Sequence, residues 1–175
     1  MNDFFAYLEK LELIAFFTGF PLIYFLVMAY KKPLLSSKYA FLKQVPSHLS
    51  YGYALSVLLY VGMKLYQQVN NQEGFHLSNL FIGDNRYYII WAYAGLIFWL
   101  PFLKAKPILA LLHSLVFFFL FLFFIYLYIN GEAEKAVVTN STQLYFYSIL
   151  LNVFTVLFVT TLYFIFSRKK RSTVV

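Results

Sequence analysis

Apart from tyrosines, His113 is the only ionisable side chain that lies well inside one of the long apolar stretches of this sequence. At 1.5 Å per residue, it lies roughly 9 Å from the start of a helix that begins at Pro107. Ionisable groups at such depth in a membrane commonly belong to ligand sites or proton relays. The alternative is a neutral imidazole that bonds a nearby hydroxyl or carbonyl group and serves packing alone.

The acidic residues of the sequence determine the charge state expected for His113. All seven acids lie outside the apolar stretches, so a charged imidazolium would lack a carboxylate partner. A buried charge without a partner is costly, and we therefore expect the ring to be neutral. A neutral ring still needs a donor and an acceptor. The same count of residues places four hydroxyl groups near its depth, those of Tyr24, Ser56, Thr160 and Thr161.

A second polar position, Asn152, lies roughly 12 Å inside the opposite end of its predicted helix. Ser148 and Thr155 share its helical face. An amide without hydrogen-bond partners is costly at that depth. We therefore expect Asn152 to face protein and to bond a neighbouring helix, with contact to a substrate as the alternative.

Small and polar residues recur every four positions along the second predicted helix. We call this set the stripe, and it comprises His48, Gly52, Ser56, Tyr60 and Lys64. Residues four apart are neighbours on a helix. The pair Gly52 and Ser56 matches the small-xxx-small pattern that lets two helices approach closely. We expect this pair to pack within the same chain, with homodimerisation as the alternative.

The sequence predicts no catalytic group, no cofactor and no metal site. No acid lies inside an apolar stretch, and the common hydrolase, zinc-protease and phosphate-loop motifs are absent. The lack of cysteines excludes iron–sulfur clusters and cysteine-ligated zinc. Haem held by His48 and His113 is disfavoured because their predicted depths differ. Glu73 and His76 match a di-iron spacing once, in a predicted loop beside Gly74, where chance explains the match.

Five apolar runs must position these residues. Apolar residues make up 62% of the chain and charged residues 12%, whereas soluble domains are about 25% charged. A helix needs about twenty apolar residues to cross a bilayer. We therefore predict an all-α integral membrane protein, a five-helix transmembrane bundle that forms one domain over 1–175. The predicted spans are 13–30, 49–66, 87–103, 107–129 and 144–167, and Pro21 should kink the first.

The connection between the first two spans, 31–48, is basic and is bracketed by Pro33 and Pro46. Apolar residues between the prolines fall roughly on one face. A short helix lying in the headgroup plane and an ordinary solvated loop both suit this pattern. The longest polar connection, 67–86, is rich in the asparagine and glycine residues that form turns.

The distribution of charge predicts the orientation. Basic residues concentrate in the first connection, the third connection and the C-terminal segment, namely Lys31, Lys32, Lys38, Lys43, Lys104, Lys106 and Arg168 to Arg171. Lysine and arginine favour the cytoplasmic side, so we predict the N-terminus outside and the C-terminus inside the plasma (inner) membrane. The net charge of +7 then indicates contact with anionic lipid, not with nucleic acid. Other membrane subunits or further copies of the chain are the expected protein partners.

These patterns favour a non-enzymatic membrane module, such as an accessory subunit, assembly factor or sensory input of a larger complex, because few polar groups lie inside the spans. The first alternative is a small-solute transporter or channel protomer that acts as an oligomer through the stripe and Pro21. The second alternative is a membrane enzyme or cofactor-binding subunit centred on His113.

Overall fold

The computed structural model describes residues 2–70, 86–103, 106–130 and 135–172, and within these ranges all regular secondary structure is helical. The all-α class is therefore confirmed. In chain order the α-helices are α1 (Asn2–Ala29), α2 (Lys31–Ser36), α3 (Ala40–Gln44), α4 (Leu49–Asn70), α5 (Arg86–Ala94), α6 (Pro107–Ile129) and α7 (Lys135–Ser172). Two 3-10 segments, Val45–His48 and Gly95–Trp99, lead into α4 and continue α5.

The helix ends follow local sequence signals. Helix α6 begins at Pro107 and ends at Ile129, matching the predicted range, because proline suits the first helical position and Asn130 forms the turn that follows. Helices α1 and α7 extend beyond their predicted apolar runs toward the N-terminal side of each run. Pro21 lies inside α1, which continues through it as one helix.

The third predicted span, 87–103, is not one continuous α-helix. Helix α5 ends at Ala94, the 3-10 segment follows, and Leu100 is extended with ψ of 133°. Pro101 disfavours the helical conformation in the residue before it, which explains the extended Leu100. The connection 31–48 likewise differs from both alternatives, since it contains α2, α3 and a 3-10 turn instead of one helix or a loop.

Helix α1 lies at the centre of the bundle and packs against α6, α7 and α4. Aromatic side chains fill the space between these helices. The ring of Phe17 stacks on that of Phe117 with a centroid separation of 4.7 Å, and Phe20 lies 4.5 Å from Tyr53. All four side chains are fully buried. Such ring pairs add about 0.5–1.5 kcal/mol each beyond the area they bury.

The interior of the bundle carries polar groups, while its surface carries large apolar ones. Buried polar residues are Thr18, His48, Ser50, Ser56, Lys64, His113, Ser114, Ser148, Asn152, Thr155 and Thr160. Leucine and phenylalanine side chains of α1, α6 and α7 point outward in large numbers. Within the described ranges, Tyr145–Ser167 of α7 is the one helix long and apolar enough to cross a membrane, with a mean hydropathy of 2.3 and 22% of it buried. Shorter apolar helical stretches occupy Phe16–Ala29, Tyr87–Trp99 and Pro107–Phe123.

Two glycines let α7 approach its neighbours closely. A Cβ atom at Gly19 of α1 would lie 2.9 Å from the Cα of Ile149. A Cβ atom at Gly52 of α4 would lie 2.8 Å from the Cα of Val156 and 2.5 Å from its Cγ2. Contacts this short force the backbones apart, so both positions require glycine. The structure thus places Gly52 at a helix contact inside the chain.

We predict that Gly52→Ala lowers the free energy of unfolding by about 1–3 kcal/mol, because the added methyl group must displace the α7 backbone. The matched control is Gly62→Ala on the exposed side of the same helix, where nothing lies within 4 Å of the added Cβ. That variant should be neutral or stabilising by up to about 1 kcal/mol. Denaturant titration in mixed micelles measures both values. Equal stability of the two variants would contradict the close contact between α4 and α7.

Candidate functional site

The side chain of His113 projects from α6 toward α5 and α4 and is buried. Its ring stacks on the indole of Trp91, with a centroid separation of 4.9 Å and an interplanar angle of 7°. The rings of Tyr53, Phe98 and Phe117 also surround His113, with centroids 5.7, 5.8 and 6.3 Å from that of the imidazole. We call these five residues the His113 cluster.

Hydrogen bonds in this cluster determine the tautomer of His113. The Nε2 atom lies 2.7 Å from the backbone carbonyl oxygen of Trp91. A carbonyl oxygen only accepts, so Nε2 must carry the hydrogen and donate it. The Nδ1 atom is then an acceptor, and the Tyr53 hydroxyl donates to it across 2.6 Å. Both ring nitrogens are satisfied in the neutral Nε2–H form.

A reciprocal bond closes the contact between α5 and α6. The indole N–H of Trp91 donates to the backbone carbonyl oxygen of His113 across 3.2 Å. Trp91 and His113 therefore exchange two side-chain-to-backbone hydrogen bonds while their rings stack. Gly95 makes room for this arrangement, because a Cβ atom there would lie 3.3 Å from Cε1 of His113 and 2.7 Å from Cγ2 of Val57.

The partners expected for His113 were wrong. Thr160 is buried but donates to the carbonyl oxygen of Val156 in its own helix, and Thr161 likewise donates to Leu157. Tyr24 is half-buried, and its ring lies beside those of Phe20 and Phe25. Hydroxyl groups on a helix commonly bond the carbonyl one turn earlier, which removes them as partners for another helix.

The hydrogen-bond partners of His113 are instead Tyr53 and Trp91, which the sequence did not assign to this site. Tyr53 follows Leu49 by four residues, so the same depth count places it near His113, but the count cannot show which side chains meet laterally. Trp91 is a residue type that often lies at membrane interfaces, so the sequence did not suggest a contact with His113. The atom that accepts the hydrogen bond from His113 is its backbone carbonyl oxygen. The only available signal was the spacing of Tyr53 from the start of α4.

Asn152 of α7 forms a second buried polar group, together with Ser56 of α4 and Thr155. The amide nitrogen of Asn152 donates to the carbonyl oxygen of Phe16 in α1 at 3.0 Å and to that of Ser148 at 2.8 Å. The hydroxyl of Ser56 lies 3.3 Å from the amide oxygen of Asn152 and 3.0 Å from the hydroxyl of Thr155. We call these three residues the Asn152 network. It joins α1, α4 and α7 at one point.

All five residues of the stripe are buried, His48 at the end of the 3-10 segment and the other four on one side of α4. Gly52 and Ser56 contact α7, and the ring of His48 packs against that of Tyr163 at a centroid separation of 4.4 Å. The ammonium group of Lys64 lies 5.8 Å from the centroid of the Tyr60 ring, within the range of a cation–π contact. A run of polar residues at four-residue spacing is thus the packing face of this helix.

This geometry does not favour the haem alternative. Both nitrogens of His113 bond protein groups, whereas His48 packs on aromatic rings next to α7. The E-x-x-H pair Glu73 and His76 lies outside the described residues. No family model, curated protein or solved structure matches the chain. What the clusters can do chemically is hold helices together through neutral hydrogen bonds.

We predict that His113→Leu lowers the free energy of unfolding by about 1 kcal/mol, because it leaves the Tyr53 hydroxyl and the Trp91 carbonyl without their partner. His113→Gln should cost less, since its amide supplies both a donor and an acceptor. Tyr53→Phe removes the hydroxyl that donates to Nδ1 and should also lower the stability, whereas its matched control Tyr126→Phe, on the exposed face of α6, should change nothing. Denaturant titration in micelles provides the stabilities.

The tautomer can be measured separately. Nitrogen NMR of the chain labelled at histidine should show the Nε2–H form for His113. A dominant Nδ1–H form, or an unchanged stability of His113→Leu, would contradict the hydrogen bonds described above.

Proposed function

We propose that the protein is a multi-pass membrane module without catalytic activity of its own, which serves as an accessory subunit, assembly factor or sensory input of a larger membrane complex. The observation that carries the proposal is the large number of apolar side chains on the outside of the bundle. The interior is mainly apolar as well, and polar groups buried in it, such as His113 and Asn152, are hydrogen-bonded within the protein.

In water this surface would be unfavourable. Monomeric soluble proteins rarely expose large contiguous apolar patches, and apolar area costs about 25 cal/mol per Å² when it is hydrated. Helix α6 exposes Phe119, Leu122 and Phe123, and α7 exposes Phe154 and Phe158. Lipid chains remove this cost because they are as apolar as the side chains.

The interior supports the same proposal. Helices in lipid associate through small residues and through hydrogen bonds between polar side chains, because burial of apolar groups gives no advantage there. Gly19 and Gly52 at the contacts with α7, and Asn152 bonded across three helices, match that pattern. Trp99, exposed near the predicted cytoplasmic end of the third span, suits an interface.

We therefore keep the five spans and the orientation as parts of this proposal. One helix meets the length and hydropathy expected of a span, and the three shorter apolar stretches coincide with the first, third and fourth spans. The lysines of the first connection, among them Lys31 and Lys43, are exposed, as a cytoplasmic segment requires. The plasma (inner) membrane is the proposed location.

The alternatives receive less support from the geometry. An oligomeric pathway along the stripe would need that face of α4 to be available between protomers, but it packs against α7 in the same chain. An enzyme centred on His113 would need a free ring nitrogen, but both nitrogens are hydrogen-bonded to Tyr53 and Trp91.

Copurification of the tagged full chain in a mild detergent tests the accessory role. We expect a second membrane protein in fixed ratio to the chain. A homo-oligomer that conducts or transports a solute after reconstitution would contradict the accessory role and favour the transporter alternative.

The topology itself gives a separate prediction. The chain contains no cysteine, so single cysteines at positions 36, 76, 105 and 137 can be labelled without background. With an impermeant thiol reagent on intact cells, positions 76 and 137 should react and positions 36 and 105 should not. The reversed pattern would overturn the orientation, and reaction at 36 together with 76 would overturn the second span, which separates these two positions.

A further inference from the structure

A groove opens on the surface of the bundle between α1, the segment of α2 and α3, and α7. Its volume is about 470 Å³, within the range of roughly 300–1,000 Å³ typical of ligand sites. Apolar side chains dominate its walls, including Ile23, Leu26, Leu34, Leu42, Val153 and Leu157. The groove is open along one side, so a ligand can enter from the surface.

Several residues that line this groove are followed directly in the sequence by a lysine. Lys31 directly follows the lining residue Tyr30, Lys38 follows Ser37, and Lys43 follows Leu42. Together with Lys32, these lysines are exposed, and the segment from Tyr30 to His48 contains no acid. Charge of one sign beside an apolar groove is complementary to a molecule with an anionic head and an apolar tail.

The C-terminal part of α7 also lies beside this segment. The ring of Phe41 in α3 contacts that of Phe164 in α7, with centroids 6.3 Å apart. Helix α7 continues one turn past Phe164 into the basic run Arg168 to Arg171. The segment of α2 and α3 and the basic end of α7 are therefore close together.

We propose that this groove binds one acyl chain of a phospholipid with an acidic headgroup, and that the lysines of the segment 31–43 bind the headgroup. This inference rests on the proposed embedding in a membrane. A lipid is favoured over a partner helix because the groove walls belong to helices whose outer faces would already contact acyl chains. Basic clusters at the cytoplasmic ends of transmembrane helices also attract acidic headgroups.

Native mass spectrometry of the full chain in detergent micelles tests the proposal. The probes are dioleoyl phosphatidylglycerol, which is anionic, and dioleoyl phosphatidylcholine, which has the same chains and no net charge. We expect the anionic lipid to bind about tenfold more tightly. Lys38→Gln combined with Lys43→Gln should reduce that preference to about threefold, because two of the four lysines of the segment remain.

The matched control for the charge is Lys104→Gln combined with Lys106→Gln, which removes two lysines of the third connection and should leave the preference unchanged. Leu26→Trp fills the groove at an exposed position and should reduce the binding of both lipids. Leu162→Trp, exposed on α7 and absent from the groove lining, is its control.

Equal binding of the two lipids would overturn the proposal. Unchanged binding in Leu26→Trp would overturn the assignment of the acyl chain to the groove. A bound polypeptide in place of lipid would also overturn it and would indicate a protein partner. Cysteine labelling tests the membrane topology independently, so failure of the lipid site leaves a five-span topology intact, whereas failure of the topology removes both.

Discussion

Polar groups buried inside a helical bundle must find their hydrogen-bond partners within the protein. The rest of this structure depends on that requirement. His113 meets it with Tyr53 and the Trp91 carbonyl, and Asn152 meets it with Phe16, Ser148 and Ser56. Each bonded set joins helices that are distant in sequence. The first set joins α6 to α4 and α5, and the second joins α7 to α1 and α4.

Close packing makes these bonds geometrically possible. Gly52 and Gly19 bring α7 against α4 and α1, and the Asn152 network lies between those contacts. Gly95 performs the same role beside His113, where it also marks the change from α-helix to 3-10 helix. A side chain at Gly19 or Gly52 would separate backbones that the hydrogen bonds hold within reach, and one at Gly95 would displace the side chains of Val57 and His113.

The sequence predicted helices better than it predicted contacts. Pro107 and Asn130 mark the ends of α6, and hydrophobic runs indicate where α1, α4 and α7 lie. The division of the third span was missed, because the α-helix gives way to a 3-10 helix at Gly95, whereas Pro101 accounts only for the extended Leu100 after that segment. Five helices were predicted, whereas the described ranges contain seven α-helices, because the first connection holds the short helices α2 and α3.

The candidate site could be predicted only in part. Burial of His113 and Asn152 follows from their depth in apolar runs, and a neutral His113 follows from the placement of the acids. Its partners do not follow, because lateral contact depends on how helices cross. A backbone acceptor such as the Trp91 carbonyl has no residue-type signature. The hydroxyls of Thr160 and Thr161 bond their own helix, an outcome that depth along a helix cannot reveal.

The proposed membrane embedding requires that lipid contacts the outward aromatic faces of this bundle. Photolabelling with a carbene precursor dissolved in the acyl phase of reconstituted vesicles measures this contact residue by residue. The account predicts labels on exposed side chains such as Leu122, Phe154 and Phe158, and none on the buried Tyr53 and Phe117. Carbene labelling of Tyr53 and Phe117 would contradict this prediction. So would an outer face that carries no carbene label but is oxidised by hydroxyl radicals generated in water.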